Sequence, residues 1–77
     1  MNEKIFAILN ELRPEFDFTA SENFVEDGLL DSFDLVSLSE QLEEVFNMKI
    51  DGLDLTPDNF MTVDAIAALV KKSGGKE

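Results

Sequence analysis

The sequence predicts an all-α protein, a small four-helix bundle made of three longer helices and a short third helix. Apolar residues recur at helical spacing in separate segments, and no segment shows a convincing alternation of apolar and polar residues. The chain of 77 residues has no cysteine, so disulfides cannot stabilise it. With 44% hydrophobic residues, compact helix packing can stabilise it instead.

The first helix is predicted over residues 2–13. Its apolar positions are spaced so that they share one face: Ile5, Ile8, Leu9 and Leu12. Pro14 ends the helix, because the residue before a proline disfavours helical geometry.

A long loop is predicted between the first two helices, over residues 15–31. Its apolar residues are expected to hold it against the core: Phe16, Phe18, Phe24, Val25, Leu29 and Leu30. A connection of this length is uncommon in a compact domain and is often functional.

The second helix is predicted from Ser32 to Phe46, with Asp31 as its N-cap and Asp34 placed as in a capping box. With successive residues set about 100° apart, one arc is apolar and faces the core: Leu35, Leu38, Leu42, Val45 and Phe46. The opposite arc is polar and acidic: Ser37, Glu40, Glu43 and Glu44. Phe33 and Val36 also fall on this acidic arc, away from the core.

The remaining chain is predicted to form a second connection and two helices. Residues 47–55 are the connection, and its apolar residues are expected to anchor it: Ile50, Leu53 and Leu55. Thr56-Pro57-Asp58 predicts the short third helix, which lasts through Met61. Thr62 is expected to cap the last helix, whose core face holds Val63, Ile66, Ala67, Leu69 and Val70. We expect one domain over residues 1–73 and a flexible tail over 74–77.

The charge of the chain indicates the class of partner. Six Lys and Arg residues face seventeen Asp and Glu residues, for a net charge of −11. Such a surface repels nucleic acid and anionic lipid, and it attracts proteins with basic patches. No apolar run approaches the roughly 20 residues that span a bilayer. The first residues lack the pattern of a secretory signal, so we expect a cytoplasmic protein. We also expect it to be a monomer.

Ser32 is the candidate functional residue. The chain has no cysteine and no histidine, hence no thiol, imidazole base or soft metal ligand of its own. The acidic stretches 22–28 and 51–54 lack the ligand pattern of a calcium loop, and no pair of carboxylates implies a catalytic cleft. We therefore expect no catalytic residue and no metal site. A serine at a helix N-terminus is suited to carry a phosphate group, so a reactive group could be attached there.

Two sequence motifs carry a family resemblance. Asp31-Ser32-Phe33 is similar to the Asp-Ser-Leu motif of acyl carrier proteins of the phosphopantetheine-binding family, with Phe in the Leu position. The segment Leu42-Glu43-Glu44-Val45-Phe46 resembles the end of the second helix in that family, and the likeness covers nearly the whole chain. Residues 26–33 also resemble the motif region of D-alanyl carrier proteins.

The resemblance implies a carrier protein and not an enzyme. It implies that 4′-phosphopantetheine from coenzyme A is joined to Ser32 through a phosphodiester and holds an acyl or aminoacyl group as a thioester. Asp31 would cap the helix and help to position the modifying transferase or its metal. Fatty acid, polyketide, nonribosomal peptide and D-alanyl pathways all remain open.

The resemblance also implies a docking face at the start of the second helix. Its residues would be Phe33, Val36, Ser37, Glu40, Glu43 and Glu44. The partners would be a phosphopantetheinyl transferase, a loading enzyme, and a downstream synthase or transferase with a basic patch. Ser37 stands where the family often has an acidic residue, and Glu40 where it often has an apolar one. The main alternative function is an acidic helical adaptor with an unmodified Ser32, and an enzyme that uses its carboxylates is a second one. The alternative to the docking face is that the long loop covers Phe33 and that Val36 is an isolated exposed apolar residue.

Overall fold

A computed structural model describes residues 1–76 of the chain. This part contains three α-helices, α1 (Asn2–Leu12), α2 (Ser32–Phe46) and α3 (Val63–Lys72). It also contains single 3-10 turns at Phe18–Ala20, Gly52–Asp54 and Pro57–Asn59, and no strand is found among residues 1–76. The all-α class is confirmed. The predicted count of four helices is not confirmed, because a single 3-10 turn, Pro57–Asn59, stands where the short third helix was expected.

The short third helix stops early for a local reason. Thr56 precedes the turn, but its side chain makes no capping hydrogen bond. The N–H of Phe60 donates to the carbonyl of Pro57 at 3.0 Å, and the ring of Phe60 is fully buried. The amide of Asn59 turns back to donate to the carbonyl of Asp54 at 2.8 Å. Burial of Phe60 therefore takes the chain out of helical geometry before Met61.

The segment between α1 and α2 is held to the core by aromatic residues. Phe18, Phe24 and Leu30 are each at most 2% exposed. The rings of Phe18 and Phe24 pack edge to face with centroids 5.2 Å apart. The N–H of Phe24 donates to the carbonyl of Met61 at 2.7 Å, which ties this segment to the start of α3. These contacts set the position at which α2 begins.

The core face of α2 follows the predicted arc with one exception. Leu35, Leu38, Leu42 and Phe46 are buried, but Val45 is 49% exposed. Val45 lies at the edge of the apolar arc, where burial depends on whether another element covers it, and Ser39 is buried on the core side instead. The predicted core position of Val45 is wrong.

Leu53 is the second apolar residue whose predicted burial is wrong, since it is 86% exposed. It lies in the 3-10 turn Gly52–Asp54, where the carboxylate of Asp51 accepts its N–H at 2.9 Å. An ion pair of 2.9 Å between Lys72 and Asp54 ties the turn to the end of α3. Ile50 and Leu55, on either side, pack against the core as predicted.

The last helix begins and ends at defined caps. Thr62 Oγ1 accepts the N–H of Ala65 at 3.0 Å, which confirms the predicted cap. At the other end, the N–H of Gly74 donates to Lys71 and that of Gly75 to Val70, a Schellman motif with Gly74 at φ 91°. The first two residues of the predicted tail thus close α3, Glu77 lies outside the described residues, and the flexibility of the tail stays a prediction.

None of the helices in residues 1–76 is long and apolar enough to cross a membrane.

Candidate functional site

Ser32 is the first residue of α2, and its side chain is exposed. The residue before it, Asp31, has extended backbone geometry and is the N-cap. No partner within the described residues accepts the N–H groups of Ser32 and Phe33, as expected in the first turn of a helix. The hydroxyl therefore stands beside free backbone donors at the positive end of the helix dipole.

A complete capping box fixes this turn. Asp31 Oδ1 accepts the N–H of Asp34 at 2.9 Å, and Asp34 Oδ2 accepts the N–H of Asp31 at 3.0 Å. The carbonyl of Asp31 accepts the N–H of Leu35 at 3.1 Å. The capping box predicted from the sequence is confirmed, and Ser32 lies between its two carboxylates along the chain.

Arg13 is the residue of this site that the sequence analysis missed. It is the C-cap of α1, and its Nε lies 3.2 Å from Asp34 Oδ1 while its Nη2 lies 3.0 Å from Asp34 Oδ2. Its Nη2 is also 4.0 Å from Asp31 Oδ2, and its Nη1 is 3.5 Å from Glu15 Oε2. In the sequence, the only hint of this role is that Arg13 is a single basic residue next to Pro14. Its pairing with Asp34, 21 residues later, depends on how the loop between them folds.

The ion pair changes the acid–base properties of both partners. Burial pushes the pKa of Asp34 upward, but hydrogen bonds from the Asp31 N–H and from Arg13 outweigh burial and hold that pKa below its usual range. The hydrogen bond to Asp34, together with its negative charge, raises the pKa of Arg13. Asp34 is therefore ionised at neutral pH although its side chain is only 6% exposed.

The predicted docking residues lie along α2 in different environments. Phe33 is 76% and Val36 48% exposed, so the long loop does not cover Phe33. Glu40 and Glu44 are exposed on the same side of the helix. Ser37, another residue of the predicted docking face, is half-buried.

Glu43 has a contact that its predicted docking role did not include. It is half-buried, and its Oε2 accepts the N–H of Ile50 at 2.8 Å. The carboxylate thus fastens the segment after α2 to the helix. A substitution of Glu43 would change this contact as well as the surface charge.

The groups around Ser32 decide what chemistry its hydroxyl can take part in. The chain has no histidine, and residues 1–76 contain no cluster of three or more Asp and Glu side chains placed to hold a metal. Nothing in the site activates the hydroxyl as a nucleophile. An exposed hydroxyl beside two free N–H groups at a helix N-terminus does fit a phosphate ester.

Comparison with known proteins assigns the chain to a family. A family model described as a phosphopantetheine attachment site matches residues 4–71, most of the chain. Neither curated proteins nor solved structures gave a match. Members of this family carry a covalently attached 4′-phosphopantetheine and act as carriers that interact with a phosphopantetheinyl transferase and with other enzymes. The chain therefore belongs to the phosphopantetheine-binding family of carrier proteins.

Proposed function

We propose that this chain is an acyl or aminoacyl carrier protein and that Ser32 is its attachment residue. The observation that carries the proposal is the exposed hydroxyl at the first position of α2, inside the region matched by the family. Ser32 is also a serine whose hydroxyl has no partner among the described residues, unlike Ser21 and Ser39, whose hydroxyls donate to Asp27 and Val36.

Each residue of the site has a distinct part in this proposal. Ser32 supplies the hydroxyl that is esterified, and the N–H groups of Ser32 and Phe33 face the phosphate. Asp31 caps the helix with one carboxylate oxygen and keeps the other near the surface. When bound, phosphopantetheine supplies the thiol that holds the cargo as a thioester, which this polypeptide cannot provide itself.

The exposed side of α2 is proposed as the docking face for partner enzymes. Phe33 and Val36 offer apolar contact, and Glu40 and Glu44 steer a partner with a basic patch. Glu43 and Ser37 complete the face, with Glu43 held by Ile50. D-alanyl transfer and specialised biosynthetic pathways are favoured over general fatty acid synthesis, because Leu29-Leu30-Asp31-Ser32-Phe33 resembles D-alanyl carriers.

Intact mass spectrometry tests the attachment residue. The protein is incubated with coenzyme A and a promiscuous phosphopantetheinyl transferase, and one phosphopantetheine mass is expected. Ser32→Ala should abolish the addition and keep the helical circular dichroism signal. Ser73→Ala is the matched control, because Ser73 lies outside the matched region and should leave labelling intact.

Two results would contradict the proposal. Labelling that persists on Ser32→Ala would move the attachment to another residue. An unmodified wild-type protein that still binds basic partners through α2 would support the acidic adaptor instead.

A further inference from the structure

We propose that Arg13 is a positioning residue for the modification of Ser32, an inference that rests on the proposed function. Arg13 is the C-cap of α1, and Ser32 is the first residue of α2. Asp34 joins these two helix ends. A guanidinium from one helix thereby sets the geometry of the first turn of another.

The contact is of a kind that fixes orientation as well as position. Nε of Arg13 lies 3.2 Å from Oδ1 of Asp34, and Nη2 lies 3.0 Å from Oδ2. Two parallel bonds of this kind hold the plane of the carboxylate. A lysine at position 13 would supply the charge without the planar fork.

The carboxylate of Asp34 connects the guanidinium to the backbone of the site. Its Oδ2 accepts from Arg13 and also accepts the N–H of Asp31 at 3.0 Å. Its side chain is only 6% exposed, so without Arg13 the carboxylate would lose the charged partner that compensates its burial. Loss of Arg13 would draw the first turn of α2 outward until Asp34 is hydrated. Ser32 and Asp31 would move with that turn.

Such a movement affects the chemical step more than docking. Of the docking residues only Phe33 lies in that turn, whereas Val36, Glu40 and Glu44 lie further along α2 and keep their exposed positions. The hydroxyl of Ser32, in contrast, must meet the reacting phosphate of coenzyme A in the transferase within a narrow geometry. We therefore expect a loss in kcat with little change in KM.

Transferase kinetics test this expectation. The kcat and KM of a promiscuous phosphopantetheinyl transferase are measured with coenzyme A, well below the melting temperature of every variant. Arg13→Met, which keeps the apolar stem, should lower kcat roughly tenfold or more. Arg13→Lys should lie between it and the wild type. Lys72→Met is the matched control, since it removes the ion pair with Asp54 at the end of α3 and should keep the wild-type kcat.

Amide hydrogen exchange separates a local effect from a loss of overall stability. Arg13→Met should speed the exchange of the Asp34 N–H, which Asp31 holds, and should leave the Ala65 N–H, which Thr62 holds, unchanged. Equal acceleration at both positions would mean general destabilisation and would overturn the inference. If Arg13→Met fails to fold, the same two amides and kcat are compared in Arg13→Lys, and wild-type values there would overturn it.

The inference and the proposed function fail in different ways. If the wild-type protein is modified at Ser32 and Arg13→Met retains its kcat, only the role of Arg13 is refuted. An equal loss of kcat in Lys72→Met would also refute it. A wild-type protein that is not modified refutes the proposed function, and the role of Arg13 falls with it.

Discussion

Asp34 is the buried acidic residue through which pH should act on the stability of this protein. Its buried carboxylate accepts hydrogen bonds from the backbone of Asp31 and from Arg13. These bonds hold its pKa below the usual range of an aspartate even though burial pushes that pKa upward. A residue whose pKa is lowered by folding stabilises the protein at a pH above its unfolded pKa.

The pH dependence of stability therefore tests Asp34. Its contribution is complete at neutral pH and is lost as the pH falls through the folded pKa, below about pH 4. Asp34→Asn should lower the free energy of unfolding at pH 7 by about 1–3 kcal/mol. The difference between wild type and variant should shrink as the pH falls below about 4. Urea titrations at several pH values measure it, and a difference independent of pH would contradict the assigned pKa.

Gly75 gives a second prediction at the scale of one residue. A Cβ there would clash with the side chain of Val70 and would lie 3.0 Å from the carbonyl of Val70. Gly75→Ala should break the Schellman motif and lower the free energy of unfolding by about 0.5–1 kcal/mol, the worth of an ordinary hydrogen bond. The cost stays small because the chain end can move away from Val70. Gly52→Ala is the control, because a Cβ at Gly52 meets nothing within 4 Å. Equal melting temperatures for wild type and Gly75→Ala would contradict the motif.

At the scale of the element, α2 has a buried face and an exposed face. Leu38 and Leu42 are fully buried, whereas Phe33 and Val36 on the other side are largely exposed. Burying a large apolar side chain is worth roughly 1.5–3 kcal/mol, and this stabilisation is absent at both positions. Under the proposed function, their exposure serves partner docking.

Paired truncations separate the two faces. Leu42→Ala should lower the free energy of unfolding by about 2–5 kcal/mol, because it leaves a cavity. Val36→Ala should change it by less than about 0.5 kcal/mol but weaken loading by a cognate enzyme. Thermal melts and loading kinetics measure these effects. Unfolding by Val36→Ala, with a stable Leu42→Ala, would require the docking face to be redrawn.

The acidic residues of α2 give a kinetic prediction. Glu44→Lys should slow association with a basic partner by up to about fivefold at low salt, as expected for about 1 kcal/mol between exposed charges, and weaken its salt dependence. Glu44 is a cleaner test than Glu43, whose carboxylate binds the backbone of Ile50. Glu22→Lys changes the net charge equally from an exposed loop position and is the control. If both variants slow association equally, the effect is general and α2 has no special role.

At the scale of the whole molecule, the net charge of −11 sets the balance between electrostatic repulsion and attraction. Exposed carboxylates repel one another in the compact state more than in the unfolded chain. Arg13 and Lys72 each neutralise acidic neighbours, but the excess of acidic groups remains.

Added salt should therefore raise the melting temperature. For a domain of this size the rise is about 4–8 °C for each kcal/mol of repulsion removed. Divalent cations should act at lower concentration than sodium. Calorimetry over a salt series measures the effect. A melting temperature that falls with salt would mean that ion pairs such as Arg13–Asp34 outweigh the repulsion.

The sequence by itself determined the features that depend on neighbouring residues. The capping box of Asp31 and Asp34, the Thr62 cap and the spacing of apolar residues all act over one or two helical turns. The bounds of α2 and the choice of Ser32 as the candidate residue therefore followed without a structure, whereas the exposure of Phe33 was decided by the structure. The family resemblance rested on the same short-range motif, and the match over residues 4–71 supports it.

Only the tertiary structure decided the features that join distant parts of the chain. The pairing of Arg13 with Asp34 and of Glu43 with Ile50 depends on the paths of the connecting segments. Local propensity does not determine these paths, because the burial of a few large side chains such as Phe24 and Phe60 selects them. The single turn at Pro57–Asn59 is followed directly by the buried Phe60, and Leu53 is exposed because no described element covers it. An apolar residue at the edge of an element is buried only where another element comes to cover it.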